Sequence, residues 1–369
     1  MKNDFSFTRL AMKRLRGEKL SMTELEVTNL GEKNLRDCDI MPRPGPKAES
    51  RFSIPFSMPV NEYGDIMPRI RALDTQAYMI QSENLYLINP ISEKSVFGLA
   101  GATFLAAQHR NFKVPSFSGI LAQNLETDAE PEEDGATITI GGASFAPKRF
   151  YILLDFPMSL LMQGGPDVDK WIMDNISAAL SARVDSVIGG ITASDVTKGQ
   201  GMGYAITTGD TTKVNAVSPT YDSIVALEKA LGSNFGGINI PGSSPAFITN
   251  SEGRRILRKV YSGDSNTEPV WKNGKLLDNP AFVSDLVSGS AGADGAGNLL
   301  LFGNWKDLCV VQFGAYDITV DPYTLKNNGK VQLCVNSYID VRGLRGTQST
   351  GEATQANDYA YSFGAIAIK

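Results

Sequence analysis

One histidine, three scattered cysteines and a knot of carboxylates are the residues of this 369-residue chain whose chemistry could be catalytic. His109 sits in Ala106-Ala107-Gln108-His109-Arg110 with no acid or nucleophile beside it, so its setting predicts a structural role rather than that of a general base. A single imidazole cannot make a histidine-rich metal site, and Cys38, Cys309 and Cys334 lack the spacing of zinc ligands. Their odd number argues against a disulfide framework; Cys309 and Cys334 fall inside apolar strand patterns and read as small buried hydrophobes. Glu126, Asp128, Glu130, Glu132, Glu133 and Asp134 crowd one polar stretch, where solvation leaves them unsuited to paired acid–base work. Gly199-Gln200-Gly201-Met202-Gly203 has the look of a dinucleotide loop, but no strand leads into it and no helix opens from it. A phosphate loop ending in Gly-Lys-Ser/Thr does not occur. The expectation is a protein that is not an enzyme, with no cofactor and no metal.

Composition narrows the classes further. Hydrophobic residues make up 42% and charged residues 20%, ordinary values for a folded chain able to bury a sizeable core. A net charge of −5 speaks against gripping nucleic acid, since phosphate affinity comes from Lys and Arg, but not against enclosing it. Met1 to Lys19 is basic without an apolar core, and no later run approaches the roughly 20 apolar residues of a membrane span. A soluble chain in a reducing cytoplasm is expected, with no membrane partner.

The elements that must hold these residues are legible in outline. Phe7, Leu10, Ala11 and Leu15 recur at helical spacing among Arg9, Lys13, Arg14, Arg16 and Lys19; Gly17 interrupts, and Ser21 with Glu24 opens a second helix as a capping box. This pair reads as solvated helices or as an arm that contacts a partner chain or nucleic acid. Pro42, Pro44, Pro46, Pro55, Pro59 and Pro68 predict an extended arm over 40–70, because proline removes backbone donors. Ser116 to Pro147 reads as a two-stranded excursion with the carboxylates at its centre, or as an ordinary acidic surface loop. The strongest helix is Asp167–Ile188, capped by Asp167 or Asp169, with Val168, Trp171, Ile172, Ile176, Ala179, Leu180, Val184 and Val187 as its apolar stripe and Gly189-Gly190 as its end. A Gly/Thr-rich link over 190–216 follows. Then come a helix capped by Thr220, a strand over Ala246–Thr249, a helix capped by Ser251, a loop over 281–298, and strands at Leu299–Phe302 and Leu308–Phe313. Tyr316–Thr324 and Lys330–Val341 alternate strictly around Asn327-Asn328-Gly329, predicting a long antiparallel hairpin with one buried face. A ladder of that length is expected to need cover from other copies of the chain. Tyr359–Ile368 closes the chain as a strand.

In that order the elements resemble the major capsid proteins of tailed bacteriophages, which have the Hong Kong 97 fold, and in particular those of phages or prophages of the Bacteroidetes type. The resemblance is carried by Asn3-Asp4-Phe5-Ser6-Phe7, Asn111 to Pro115, Ala146-Pro147-Lys148-Arg149, Phe302-Gly303-Asn304-Trp305 and Asp317 to Tyr323. It implies an α+β chain divided into an N-terminal helical segment and extended arm (1–70), a strand region (71–115), an E-loop (116–147), a P-domain with its spine helix (148–190), an A-domain (191–315), and a P-domain hairpin with the C-terminal strand (316–369). It implies self-assembly into hexamers and pentamers of an icosahedral virion shell in the bacterial host cytoplasm, with double-stranded DNA enclosed rather than specifically bound. Portal, scaffolding, protease and decoration proteins are the partners it brings with it.

Under the same resemblance, subunits meet through the acidic cluster (Glu126, Asp128, Glu130, Glu132, Glu133, Asp134) and through the hairpin tip (Asn327, Asn328, Gly329), the latter near local threefold contacts. Residues 1–70 are short for an internal scaffold, so either a separate scaffolding protein exists or the arm is retained, and Arg9–Lys19 is expected to face inward. No lysine lies between Val114 and Pro147, so the isopeptide weld that some relatives make from an E-loop lysine is not expected. An encapsulin-like nanocompartment shell protein is the nearest rival, and an enzyme of unknown type the next.

Overall fold

The computed structural model describes residues 6–40, 51–60, 83–86, 91–107, 110, 112–118, 139–162, 166–190, 219–232, 243–262, 268–289, 297–344 and 363–369. Two N-terminal helices, α1 (Phe7–Arg16) and α2 (Met22–Asp37), come first. They lead to β1 (Arg51–Pro55), which is followed by a small ladder of β2 (Ser57–Val60) and β3 (Glu83–Tyr86). An elbow of two single-turn helices, α3 (Ile91–Lys94) and α4 (Val96–Leu99), leads into β4 (Thr103–Ala107). Then come β5 (Phe112–Ser118), β6 (Thr139–Phe145), β7 (Lys148–Pro157), α5 (Met158–Met162) and the long α6 (Pro166–Ile188).

The second half begins with α7 (Tyr221–Gly232), β8 (Pro245–Thr249) and α8 (Ser251–Leu257). Short strands β9 (Tyr261–Ser262), β10 (Glu268–Pro269), β11 (Trp271–Lys272) and β12 (Lys275–Leu276) precede β13 (Asn279–Val283) and β14 (Asn298–Asn304). The long pair β15 (Leu308–Asp321) and β16 (Lys330–Gly343), and finally β17 (Phe363–Ile368), complete the chain.

Two sheets organise these elements. The main sheet runs β1-β15-β16-β7, with β4 parallel beside the first half of β15; the second runs β11-β12-β13-β8-β14-β17. One large core joins them: Ile172, Ile176, Leu180, Val184 and Val187 of α6 share it with Val331, Leu333 and Val335 of β16 and with Ala246, Leu299 and Leu301 of the second sheet. Each such side chain is fully or almost fully buried, and each except Ala246 stabilises the fold by about 1.5–3 kcal/mol.

The hairpin departs from its expectation in three ways. Its first strand is continuous from Leu308 to Asp321 instead of two strands, bent by a register shift between Phe313 and Asp317. Gly314 sits at that bend with φ +71, and a Cβ there would lie 3.2 Å from the Asn34 carbonyl of α2. Both faces are covered, not one: Asp317, Asn336 and Asp340 are as buried as Ile318 and Val335. Within the single chain this cover already comes from β1, β7, α2 and α6. Buried carboxylates are tolerated there because cations reach them, Arg51 Nε at 2.6 Å from Asp317 Oδ1 and Lys148 Nζ at 3.1 Å from Asp340 Oδ1.

The helix pair is also not solvated. Gly17 ends α1 in the left-handed region, and Ser21 and Glu24 form the capping box. Yet Phe7, Leu10, Ala11, Val27 and Leu35 are fully buried, so the apolar stripe is core. Part of the proline-rich arm docks too: β1 pairs antiparallel with β15 from Arg51↔Thr319 to Pro55↔Ala315, as an edge strand ending on its proline. Elsewhere α8 is capped by Asn250, whose side chain accepts from Gly253 N–H, rather than by Ser251. Residues Ala281–Val283 of the expected loop form a parallel ladder with β8. The C-terminal strand pairs with β14 in the second sheet rather than joining the hairpin.

On α6, Asp169 is no cap: the helix starts at Pro166, and Asp169 Oδ1 accepts from Thr8 N–H of α1 at 2.8 Å. Asp185 anchors the elbow, accepting from Ser95 Oγ at 2.5 Å and Val96 N–H at 2.9 Å. Burial pushes its carboxyl up to about 6, against the hydrogen bonds from Ser95 and Val96 that lower it. The folded state therefore holds a proton that the unfolded chain releases above its ordinary value of 3.8, and the contribution to stability falls as pH rises through about 6. Asp185→Asn keeps an acceptor and removes the buried charge. It should match or exceed the natural chain at pH 8 and flatten the decline between pH 4 and 6. Asp185→Ala strands both donors and should cost about 1–3 kcal/mol. Denaturant unfolding at pH 4, 6 and 8 reads both.

Candidate functional site

One of the surfaces open to other molecules lies at the hairpin-tip end of the main sheet. There Asp321 closes the strand: its carboxylate accepts from Tyr323 N–H at 2.7 Å and from Thr324 Oγ1 at 2.5 Å, turning the chain out of β15. The Asn327-Asn328-Gly329 signal is real but is not a two-residue turn. A 3₁₀ turn over Lys326–Asn328 ends on Gly329, which takes φ 61. Gly329 C=O then accepts from Met158 N–H at 3.0 Å, tying the tip to the junction of β7 and α5. Asn327, Asn328 and Gly329 are exposed, as an intermolecular contact requires.

The same end carries large apolar side chains facing solvent. Trp171 is 54% exposed and meets the Phe156 ring edge-on at 6.2 Å, while Phe156 pairs in register with Val331 just past the tip. Met162 of α5 is 62% exposed and Tyr323 of the tip 48%. The sequence reading placed Trp171 in the buried stripe of α6; the structure puts it outside. Neither Met162 nor Tyr323 was singled out by sequence reasoning.

A second element of interest is the excursion. β5 and β6 form an antiparallel ladder from Phe112↔Phe145 to Ser118↔Thr139, which is its base. Glu126, Asp128, Glu130, Glu132, Glu133 and Asp134 lie outside the described residues, as do His109 and the Gly199–Gly203 run. The root is firmly held. Asp340 Oδ2 accepts from Ala146 N–H at 3.0 Å and faces Arg342 Nε at 3.5 Å, while Oδ1 faces Lys148. Phe145 and Phe112 pack with Leu35, Cys38 and Ile40 of the α2 end. The excursion thus leaves a fixed base.

Chemistry of the catalytic kind has little to work with in the described residues. Cys38 donates to Ala107 C=O at 3.6 Å, and burial pushes its thiol up to about 11 and that of Cys309 to about 12, both far from a reactive thiolate. Cys334 is half-buried rather than buried. Among the described residues no group of three or more His, Cys, Asp or Glu could hold a metal ion, and no helix is long and apolar enough to cross a membrane. What the geometry offers, among the described residues, is a hairpin tip tied to the junction of β7 and α5, exposed apolar side chains beside it, and a braced base of the excursion.

Residues 88–342 match the Phage capsid family. The chain belongs to that family. The match runs from the elbow through the hairpin, so every element of the main sheet except β1 and the last residue of β16 falls within it. Among curated proteins, the major capsid protein of Halomonas phage phiHAP-1 is 21% identical over 257 residues, 69% of this chain. The chain spans 40% of that relative's length. Among solved structures, the capsid of an empty GTA particle aligns with a TM-score of 0.50 at 15% identity, over 80% of this chain and 99% of the other. A chain of Microbacterium phage Oxtober96 aligns at 0.50 and 13% identity, over 82% and 100%. At such identities the likeness shows a common fold, and that fold, an α+β arrangement of the Hong Kong 97 type, is the one the sequence implied.

Proposed function

We propose that the chain is a major capsid protein whose copies gather into hexamers and pentamers and close an icosahedral virion shell around phage double-stranded DNA. The observation that carries this reading is the family match across 88–342. It is supported by three large solvent-facing apolar residues, Trp171, Met162 and Tyr323, at the hairpin-tip end. Binding energy is then distributed: each contact is weak alone, but later contacts of a subunit form at high effective concentration. Closed symmetry stops growth at a finite particle. No step of this role calls for catalysis, a cofactor or a metal. Assembly in the host cytoplasm, the domain division at 70, 115, 147, 190 and 315, a Bacteroidetes-type phage or prophage origin, and portal, scaffolding, protease or decoration partners belong to the same proposal. They are supported by the resemblance of motifs such as Asp317 to Tyr323.

Trp171 tests the interface directly. Because it is half exposed in the single subunit, Trp171→Ala should leave the unfolding midpoint of unassembled protein nearly unchanged. As a buried contact between copies, its loss should cost about 2 kcal/mol per interface. The threshold concentration for assembly should rise by about tenfold or more. Light scattering and negative-stain microscopy read this; equal assembly by the variant would remove the tip end from the interface. Particles filled with DNA support the virion reading, and particles filled with a cargo enzyme support the nanocompartment.

A further inference from the structure

The N-terminal helices are bound to the rest of the subunit in a way that bears on how the shell matures. Phe7, Leu10 and Ala11 of α1 are fully buried, and the Phe7 ring meets Phe52 of β1 at 5.8 Å. Thr8 N–H donates to the buried Asp169 of α6, so α1 is tied to the long helix by backbone as well as by packing. Helix α2 lies over β1 and the bend of β15 at two points of very close approach. A Cβ on Gly31 would fall 2.5 Å from Ser53 O, and one on Gly314 would fall 3.2 Å from Asn34 O. Glu24, with no exposed side-chain surface, receives Arg9 Nε and Lys13 Nζ at 2.8 Å each and locks the two helices together. Burial raises its carboxyl, but Lys13, Ser21 N–H and Arg9 outweigh that and bring it down to about 2, so the lock holds at any physiological pH. Two of the cations that the sequence offered for an arm reaching to a partner are thereby engaged inside the subunit.

A segment that is to be discarded needs few contacts with what remains, so that its loss leaves a closed surface. Residues 6–40 have the opposite character. Taking them away would bare Phe52, which meets Phe7, and Ala315, which packs with Leu35, and would uncover the face of the β1–β15 ladder that carries Ser53 and Asp317.

On the reading of the chain as a shell subunit, we infer that residues 6–40 are a permanent strap of that subunit, present in the mature particle, and that any proteolytic trimming ends before Ser6. A scaffolding role that ends in removal of sequence then falls to another polypeptide or to sequence ahead of Ser6.

The test is peptide mapping by mass spectrometry of mature particles. Peptides covering 6–40 at one copy per subunit, whether joined to the rest or held after a cut beyond residue 40, are the expected result. Subunits that begin between residues 7 and 40, or that lack 6–40 altogether, overturn the inference. Particles that form but lack the strap leave the shell reading standing; failure of the natural chain to form particles strikes the shell reading itself. Full-length Gly31→Leu decides the inference even then. The leucine wedges α2 off the Ser53 carbonyl, and proteolysis within 6–40 of the unassembled protein should accelerate at least tenfold. An unchanged rate means that the strap is not docked as described, and overturns the inference.

Discussion

Replacing Arg51 by alanine should destabilise the subunit by about 3–5 kcal/mol, the usual loss when one member of a buried ion pair is removed. Asp317 has no exposed side-chain surface, and its Oδ1 lies 2.6 Å from Arg51 Nε. Burial already pushes the Asp317 carboxyl above its ordinary value, with Arg51 the first of the groups that offset this. Taking the guanidinium away raises it further, so the folded variant holds its proton to higher pH. Stability of a group shifted upward is greatest below its unfolded pKa and is lost as pH rises through the folded one. The deficit of Arg51→Ala should therefore be smaller at pH 5 than at pH 8. Arg51→Met with Asp317→Leu removes both charges and should recover most of the loss, since apolar replacement of a whole buried pair is often neutral or better. Urea unfolding of the three proteins at both pH values makes the comparison. A loss under about 1 kcal/mol for Arg51→Ala would mean that water reaches the pair.

That pair also marks the limit of what could be read from sequence. Strict alternation in the hairpin identified its strands and their apolar face, because a period of two is a local property. It assigned Asp317, Asn336 and Asp340 to solvent because polar residues on an alternating strand usually face water. Their burial depends on Arg51, Arg149 and Lys148, and the first two lie 266 and 187 residues away from their partners. No local pattern reports such pairings. The capping box at Ser21 and Glu24 and the glycine ends of α1 and α6 were legible for the opposite reason: each signal spans four residues or fewer.

Trp171 could have been placed correctly. At 100° per residue it lies roughly 150° from the centre of the stripe made by Val168, Ile172, Ile176, Leu180, Val184 and Val187. Counting it as core followed its spacing of three from Val168, not its angle from the stripe as a whole. The closing strand was seen, but not its partner. Asn298–Asn304 is buried at every position, which calls for a neighbour on each side, and only the fold shows these to be β8 and β17.

Trp305 is where the two sheets are joined, and its loss should be the costliest single packing change in the subunit. It occupies the 3₁₀ turn that carries the chain from β14 of the second sheet into β15 of the main one. Its ring is fully buried between Phe97 of the elbow at 5.1 Å and Phe363 of the C-terminal strand at 5.3 Å. The indole N–H donates to Ala246 C=O of β8 at 2.7 Å. One side chain therefore touches three segments that meet nowhere else in sequence. Trp305→Ala removes the packing, at about 3–5 kcal/mol, and leaves a buried carbonyl short of its donor, at about 1 kcal/mol more. Trp305→Phe keeps most of the packing and loses only the donor, so it should fall near that last figure. The alanine variant should also lose cooperativity between the sheets, with calorimetry resolving two transitions where the natural chain gives one. In a shell, subunits whose two halves are free to reorient cannot meet all their neighbours at once, so Trp305→Ala should yield irregular aggregates while Trp305→Phe still closes particles. A single transition and regular particles from the alanine variant would show that the sheets are coupled elsewhere, through the α6 core alone.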